Sequence, residues 1–306
     1  MRIFREPEAG EDAPDQAPVA ERSRLDANLA GVGAIVAVAS ARGGVGKSSI
    51  TVNLAATLAL TGRKVGILDA DLNSPSIVAM LGMKPLRRMP AMEGIEPGAG
   101  PLGLRIAASN LLPEGEPPPM SFVDFDETPA PPHGNGGLVE LGYSATLRRL
   151  LANTRFGTLD LLLIDLAPGL EPLYRIVRLV PRASLIVISH PSELSSRAAK
   201  EALEFAARSS IAIVGVVENM AGFSCDGCHS VRPLMPQGAL ATLARDAQAP
   251  MLGRLPFDPR FAESSDRGTL FVREHAETPL AKQLVALAAS LDHAAAATRT
   301  ERPERV

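Results

Sequence analysis

The chain reads as an α/β protein built on a doubly wound, mostly parallel sheet in a single domain. Short runs rich in Val, Ile and Leu alternate with longer helical stretches, a pattern that places helices on both faces of a parallel sheet. A glycine-rich turn joins the first such run to the first helix, and two later runs end in aspartate. With 46% hydrophobic and only 4% aromatic residues among 306, and no Trp, the core must be aliphatic, as strands buried on both faces require.

In chain order, residues 1–24 mix Glu, Asp, Pro, Ala and Gly without periodicity and are expected to form a disordered acidic tail. The domain is placed at 25–297. Ile35-Val36-Ala37-Val38-Ala39 is an apolar run suited to a buried strand, and Ser48 to Leu60 follows as a helix. Lys64 to Leu68 is the next strand and leads into Asp69; Leu161 to Ile164 repeats the theme and leads into Asp165. Ser184–Ser189 and Ile211–Val217 are further strands, separated by a helix over Glu193–Arg208. A flexible Pro- and Gly-rich loop is expected at 113–137, and a Cys-containing insertion at 224–236. An Ala-rich helix over Thr278–Ala297 and a polar tail, 298–306, close the chain.

Arg42-Gly43-Gly44-Val45-Gly46-Lys47-Ser48-Ser49 lies between the first strand and the first helix. Glycines there can take positive φ and turn backbone N–H groups toward an anion, and the helix N-terminus adds partial positive charge. In such a loop Lys47 reaches the β- and γ-phosphates of ATP and the Ser48 hydroxyl ligates Mg²⁺. Asp69 and Asp71, in Leu68-Asp69-Ala70-Asp71, follow one strand and Asp165 another. Strand C-termini of a parallel sheet converge on the ligand crevice, so these carboxylates belong near the phosphates, with Asp165 in the Mg²⁺-holding position.

The glycine-rich segment departs from the ordinary P-loop, since Ala41 stands where a glycine is usual, and it resembles the deviant Walker A motif of the MinD/ParA/Mrp class. Together with the Asp69–Ser76 stretch, Val217-Glu218-Asn219-Met220, the Cys-x-x-Cys and Leu252-Gly253-Arg254-Leu255-Pro256-Phe257-Asp258-Pro259, it resembles the Mrp/ApbC iron–sulfur carrier ATPases over residues 27–295. The resemblance implies a MinD-like fold and a homodimer. Asp69 would help hold Mg²⁺ through water, Asp71 would orient the attacking water, and Asn219 with Pro256–Asp258 would form the adenine pocket. Arg42 occupies the position of the signature lysine that reaches the partner's nucleotide, and keeps its charge but not its shape. After Asp165 the family's Pro-Pro-Gly-Thr-Gly-Asp switch is replaced by Ala167-Pro168-Gly169-Leu170-Glu171-Pro172, so turnover is expected to be slow.

Cys225 and Cys228, the chain's two cysteines, cannot make a disulfide framework. Iron–sulfur clusters are held by thiolates, four for a [4Fe–4S] cluster, and a two-fold dimer of this chain supplies four. Zn²⁺ on the same four thiolates, a redox pair, the haem-attachment string completed by His229, and an unliganded loop are the rivals. The functional expectation is an ATP-binding, ATP-hydrolysing carrier that passes a cluster to apo-proteins. A MinD- or ParA-like positioning ATPase and a nucleotide-sensing adaptor without turnover are the alternatives. A formal net charge of -3 argues against general nucleic-acid binding, and no apolar run is long enough to cross a bilayer. The expected location is therefore cytoplasmic, with no stable membrane association.

Overall fold

A computed structural model describes residues 19–84, 94–111, 136–224, 230–235 and 238–300. In order, these form α1 (Val19–Ala30), β1 (Val32–Ala39), α2 (Lys47–Leu60), β2 (Val65–Ala70), α3 (Ile77–Met80), β3 (Gly98–Ala99) and β4 (Arg105–Ala108). The chain continues through α4 (Gly136–Asn153), β5 (Leu159–Leu166), α5 (Leu170–Leu179), β6 (Ser184–Ser189), α6 (Glu193–Arg208) and β7 (Ile213–Glu218). It closes with β8 (Phe223–Ser224), β9 (Val231–Arg232), α7 (Ala239–Asp246), β10 (Met251–Arg254), α8 (Pro259–Arg267), α9 (Phe271–Glu274) and α10 (Pro279–Thr300).

Eight strands make one sheet in the order β10-β7-β6-β1-β5-β2-β4-β3, parallel throughout except for the β3–β4 pair at one edge. Every crossover between parallel neighbours must pass over a face, and the two faces are covered by different helices. Val36, Val38, Ile67 and Leu163 pack on one side with residues of α2 and α10, including Leu54, Leu284 and Leu287. The intervening Ile35, Ala37, Leu68, Leu162 and Ile164 pack on the other side with residues of α1, α4, α5 and α6. Alternation along each strand thus feeds two cores from one sheet, which is the physical content of a doubly wound fold. The expected fold class is what the structure shows.

Several boundaries move. Residues 19–24 of the expected tail are the first half of α1, because Leu25 and Leu29, one helical turn apart, are buried in the second core. Asn28 reinforces this, donating from Nδ2 to the Ala152 carbonyl at 2.6 Å. Of the expected loop at 113–137, Gly136 and Gly137 open α4, and the remainder lies outside the described residues. Within the insertion at 224–236, Phe223-Ser224 and Val231-Arg232 pair as a small antiparallel hairpin. Cys225 and Cys228 lie outside the described residues. The terminal helix runs to Thr300, past the expected end at 297, and buries Leu280, Leu284, Leu287 and Leu291 in the first core. Among the described residues, no helix is long and apolar enough to cross a membrane.

Candidate functional site

β1 and β5 are central neighbours, and their C-terminal ends bring the glycine-rich loop and Asp165 together. Between β1 and α2, Gly44 (φ 77°) and Gly46 (φ 82°) both take the left-handed conformation that side-chain-bearing residues avoid. A Cβ on Gly44 would meet nothing within 4 Å, so the loop is open to solvent there and its glycine is set by the backbone conformation alone. A Cβ on Gly46 would lie 2.4 Å from Asn219 Nδ2, so glycine is required twice over at that position. The Gly46 carbonyl accepts from the Ile50 amide at 3.0 Å and starts α2, which has no acidic residue in its first turn to oppose an incoming anion.

Three side chains of α2 converge on one carboxylate. Lys47 Nζ lies 2.8 Å from Asp165 Oδ1, Thr51 Oγ1 donates to the same oxygen at 2.9 Å, and Ser48 Oγ donates to Oδ2 at 2.6 Å. Asp165 is fully buried, and the Lys47 side chain is only 7% exposed. Lys47 and Thr51 are one turn apart, hence on the face that α2 turns toward β5. Thr51 was missed by motif reading; its i+4 spacing from the lysine was the signal.

Asp69 and Asp165 are register partners on adjacent strands β2 and β5, with both side chains buried. Asp69 Oδ2 accepts from the amides of Ser76 and Ile77 at 2.9 and 3.0 Å, and Oδ1 from the amide of Asp71 at 3.1 Å. It therefore anchors the whole loop from Asp71 to the start of α3. Burial, and after it the charge of Asp165, push the Asp69 carboxyl up to about 7, against the opposing pull of these amides and of Lys47. Asp71 is half-buried at the edge of the site, and its Oδ1 accepts from the Ser74 amide at 3.2 Å.

The other expected residues separate. Arg42 is exposed, at the outer rim of the loop, beside His190. Burial, then the Arg42 charge, lower the proton affinity of His190, whose Nε2 lies 3.1 Å from Ser195 Oγ. Gly43 is exposed, Val45 buried and Ser49 half-buried, with Ser49 Oγ accepting from Ser265 Oγ at 3.3 Å. Asn219 is buried and donates from Nδ2 to the Val45 carbonyl at 2.9 Å, so it braces the phosphate loop. Pro256 lines a cavity of about 340 Å³ with Ala221, Gly222, Arg254 and Gln283. Asp258 caps α8: it accepts from the Arg260 amide at 3.0 Å and from its guanidinium at 2.7 and 2.9 Å. The structure thus joins Asn219 to the loop and Pro256 to a neighbouring cavity, and gives Asp258 a structural partner.

A left-handed glycine loop at a helix N-terminus, with an ammonium and a hydroxyl beside a buried carboxylate, can bind a nucleoside polyphosphate together with a divalent cation. Comparison with known proteins agrees. The family model described as ParA: NUBPL iron-transfer P-loop NTPase matches residues 31–122 and 141–292. The iron-sulfur cluster carrier protein of Saccharolobus solfataricus is 34% identical over 83% of this chain and 81% of its own length. The human cytosolic Fe-S cluster assembly factor NUBP2 is 33% identical over 85% of this chain and 93% of its own. Among solved structures, a nucleotide-binding protein from Archaeoglobus fulgidus in complex with ADP superposes with a TM-score of 0.68 at 30% identity, covering 86% of this chain and 96% of that one. MinD of Pyrococcus horikoshii, complexed with Mg-ADP, gives 0.58 at 19% identity over 87% of this chain and 98% of its own, a likeness of fold.

Proposed function

We propose that this chain, which belongs to the ParA/NUBPL family of iron-transfer P-loop NTPases, is a MgATP-dependent carrier that accepts an iron–sulfur cluster and delivers it to apo-proteins. The observation that carries the nucleotide half is the convergence of Lys47, Ser48 and Thr51 on the buried Asp165 beneath a left-handed glycine loop. A fully buried carboxylate held by an ammonium and two hydroxyls is a costly arrangement whose charges suit phosphate and cation.

ATP would bind at this loop, which is open at Gly44, with Lys47 changing partner from Asp165 to phosphate. Ser48 and Asp165, with Asp69 acting through water, would hold Mg²⁺, which when bound neutralises charge on the β- and γ-phosphates. In hydrolysis a water oriented by Asp71 attacks the γ-phosphorus, the bond to the β–γ bridging oxygen breaks, and ADP and phosphate leave. Arg42, which is exposed, would act on the nucleotide of a second copy. The base would lie toward Asn219 and Pro256. Cys225 and Cys228 would give two thiolates per chain to a [4Fe–4S] cluster bridging a homodimer, with Zn²⁺ as the competing occupant.

The family relationship supports the cargo, and the relatives' names supply its chemistry. A cytoplasmic location fits carriers whose relatives are called cytosolic assembly factors. The rival reading as a membrane-positioning ATPase finds little support in α10, whose leucines, Leu280, Leu284, Leu287 and Leu291, are buried in the first core.

The test is anaerobic reconstitution with iron and sulfide, followed by the visible spectrum and iron and sulfide content, beside a Cys225→Ala/Cys228→Ala control. Thiolate-to-iron absorption, with about two irons per chain and none in the control, is expected for a bridging cluster. A protein that stays colourless and iron-free would overturn the carrier reading and leave a nucleotide switch.

A further inference from the structure

Tyr143, which no motif singles out, sits on α4 with 5% of its surface exposed, and its hydroxyl donates to the carbonyl of Ala70. Ala70 ends β2 and directly precedes Asp71. The guanidinium of Arg175, on α5, lies 4.7 Å from the centre of the Tyr143 ring. Arg175 also pairs with Glu171 in the first turn of α5, Nε to Oε1, at 3.0 Å. The Gly169 amide, just before that turn, donates to the Ser40 carbonyl at 2.8 Å, where the phosphate loop begins. Burial first, then the charge of Asp71, push the Tyr143 hydroxyl up to about 12, so it remains a donor at any working pH.

α5 is therefore tied to the nucleotide site twice, once to the phosphate loop through Gly169 and once to the Asp71 segment through Arg175 and Tyr143. The second tie answers a difficulty in the sequence. The segment after Asp165 lacks the hydroxyl and acidic residue of the family's switch, Leu170 and Pro172 standing among its residues. The β2–β5 ladder sets the backbone spacing between the two segments, and Tyr143 with Arg175 adds a side-chain tie beyond its end.

We propose that Tyr143 and Arg175 are positioning residues for ATP hydrolysis. Tyr143 holds the Ala70 carbonyl and so the Asp71 side chain, and Arg175 stacks on the tyrosine to lock that segment to α5. The proposal rests on the ATPase reading above. A tyrosine that merely fills the second core would tolerate phenylalanine, which keeps the ring and the cation–π contact while removing the one hydroxyl at issue.

The experiment measures kcat and KM for ATP, equilibrium binding of a fluorescent ATP analogue, and the melting temperature for wild type, Tyr143→Phe, Arg175→Lys and Arg175→Met. Positioning predicts a kcat lower by roughly ten- to a hundredfold in Tyr143→Phe and Arg175→Met, the scale of a misplaced reacting group, with nucleotide affinity kept. Arg175→Lys, which keeps the cation, recovers part of the loss. The double variant Tyr143→Phe/Arg175→Met falls no further than the worse single one, because both cut the same tie. Wild-type turnover with unchanged kcat in Tyr143→Phe would overturn the positioning role alone. A kcat loss matched by equal losses of affinity and melting temperature would reduce Tyr143 to packing. Wild-type protein that binds ATP without any turnover would overturn the hydrolytic reading, and the positioning role with it.

Discussion

Asp165→Asn separates the charge of the buried carboxylate from its hydrogen bonds. The amide oxygen can still accept from Lys47 and Thr51, and Ser48 can rotate its hydroxyl to accept from the amide nitrogen, so the contacts at 2.6–2.9 Å have replacements. What disappears is the counter-charge of Lys47, whose side chain is 7% exposed. Removing one partner of a buried ion pair typically costs about 3–5 kcal/mol, because the other charge is left in a poor dielectric. One effect opposes this: Asp69 is freed from the charge of its register partner, which returns on the order of 1 kcal/mol. The first effect wins, leaving a net loss of about 3 kcal/mol, or a melting temperature lower by roughly 6–12 °C in nucleotide-free protein. Circular-dichroism melts would read this. Saturating MgATP should narrow the gap, since phosphate then neutralises Lys47. The double variant Lys47→Met/Asp165→Asn should melt above Asp165→Asn, because it buries no lone charge. An Asp165→Asn melt within about 1 °C of wild type, or a double variant less stable than the single, would refute the reasoning, given the size of the penalty it invokes.

The Asp69 carboxyl links stability to pH: its folded value of about 7 lies above 3.8, so the penalty is complete above pH 7 and fades as pH falls toward 3.8. Urea titrations should show wild type gaining on Asp69→Asn as pH falls from about 8 to 5, toward a limit of roughly 4 kcal/mol; a difference that stays constant with pH would contradict this. Gly46→Ala must hold a left-handed conformation at about 1–2 kcal/mol and displace the Asn219 amide from 2.4 Å. Calorimetric ATP affinity should drop at least about tenfold, and an unchanged affinity would mean that the loop rearranges freely.

Strand composition and one glycine-rich segment made most of the sheet and of the candidate site legible. Val, Ile and Leu runs of strand length, each followed by a helical stretch, have one economical solution, a parallel sheet with helices on both faces. The same local logic proposes Gly44, Gly46, Lys47 and Ser48 for phosphate, because glycines free the backbone amides and a cation and a hydroxyl follow them along the chain. Helix α1 escaped because its polar, charged surface hides a single leucine pair, Leu25 and Leu29, that counts only once α4 is present to cover it. Asp69 and Asp165 could each be picked out as carboxylates following strands, but their meeting as register partners depends on β2 pairing with β5, 90 or so residues apart in sequence. Asp258 shows the converse: a motif residue whose surroundings make it a helix cap. Tyr143 stands in no motif at all, and only the packing of α4 and α5 on one face of the sheet brings its hydroxyl to Ala70 and its ring to Arg175. Local sequence thus determined where the glycine-rich loop with its lysine and serine stands and which segments form strands and helices, since both depend on neighbours along the chain. Which carboxylates share a charge, and which side chain steadies Asp71, were decided by contacts between distant segments, and those exist only in the folded sheet.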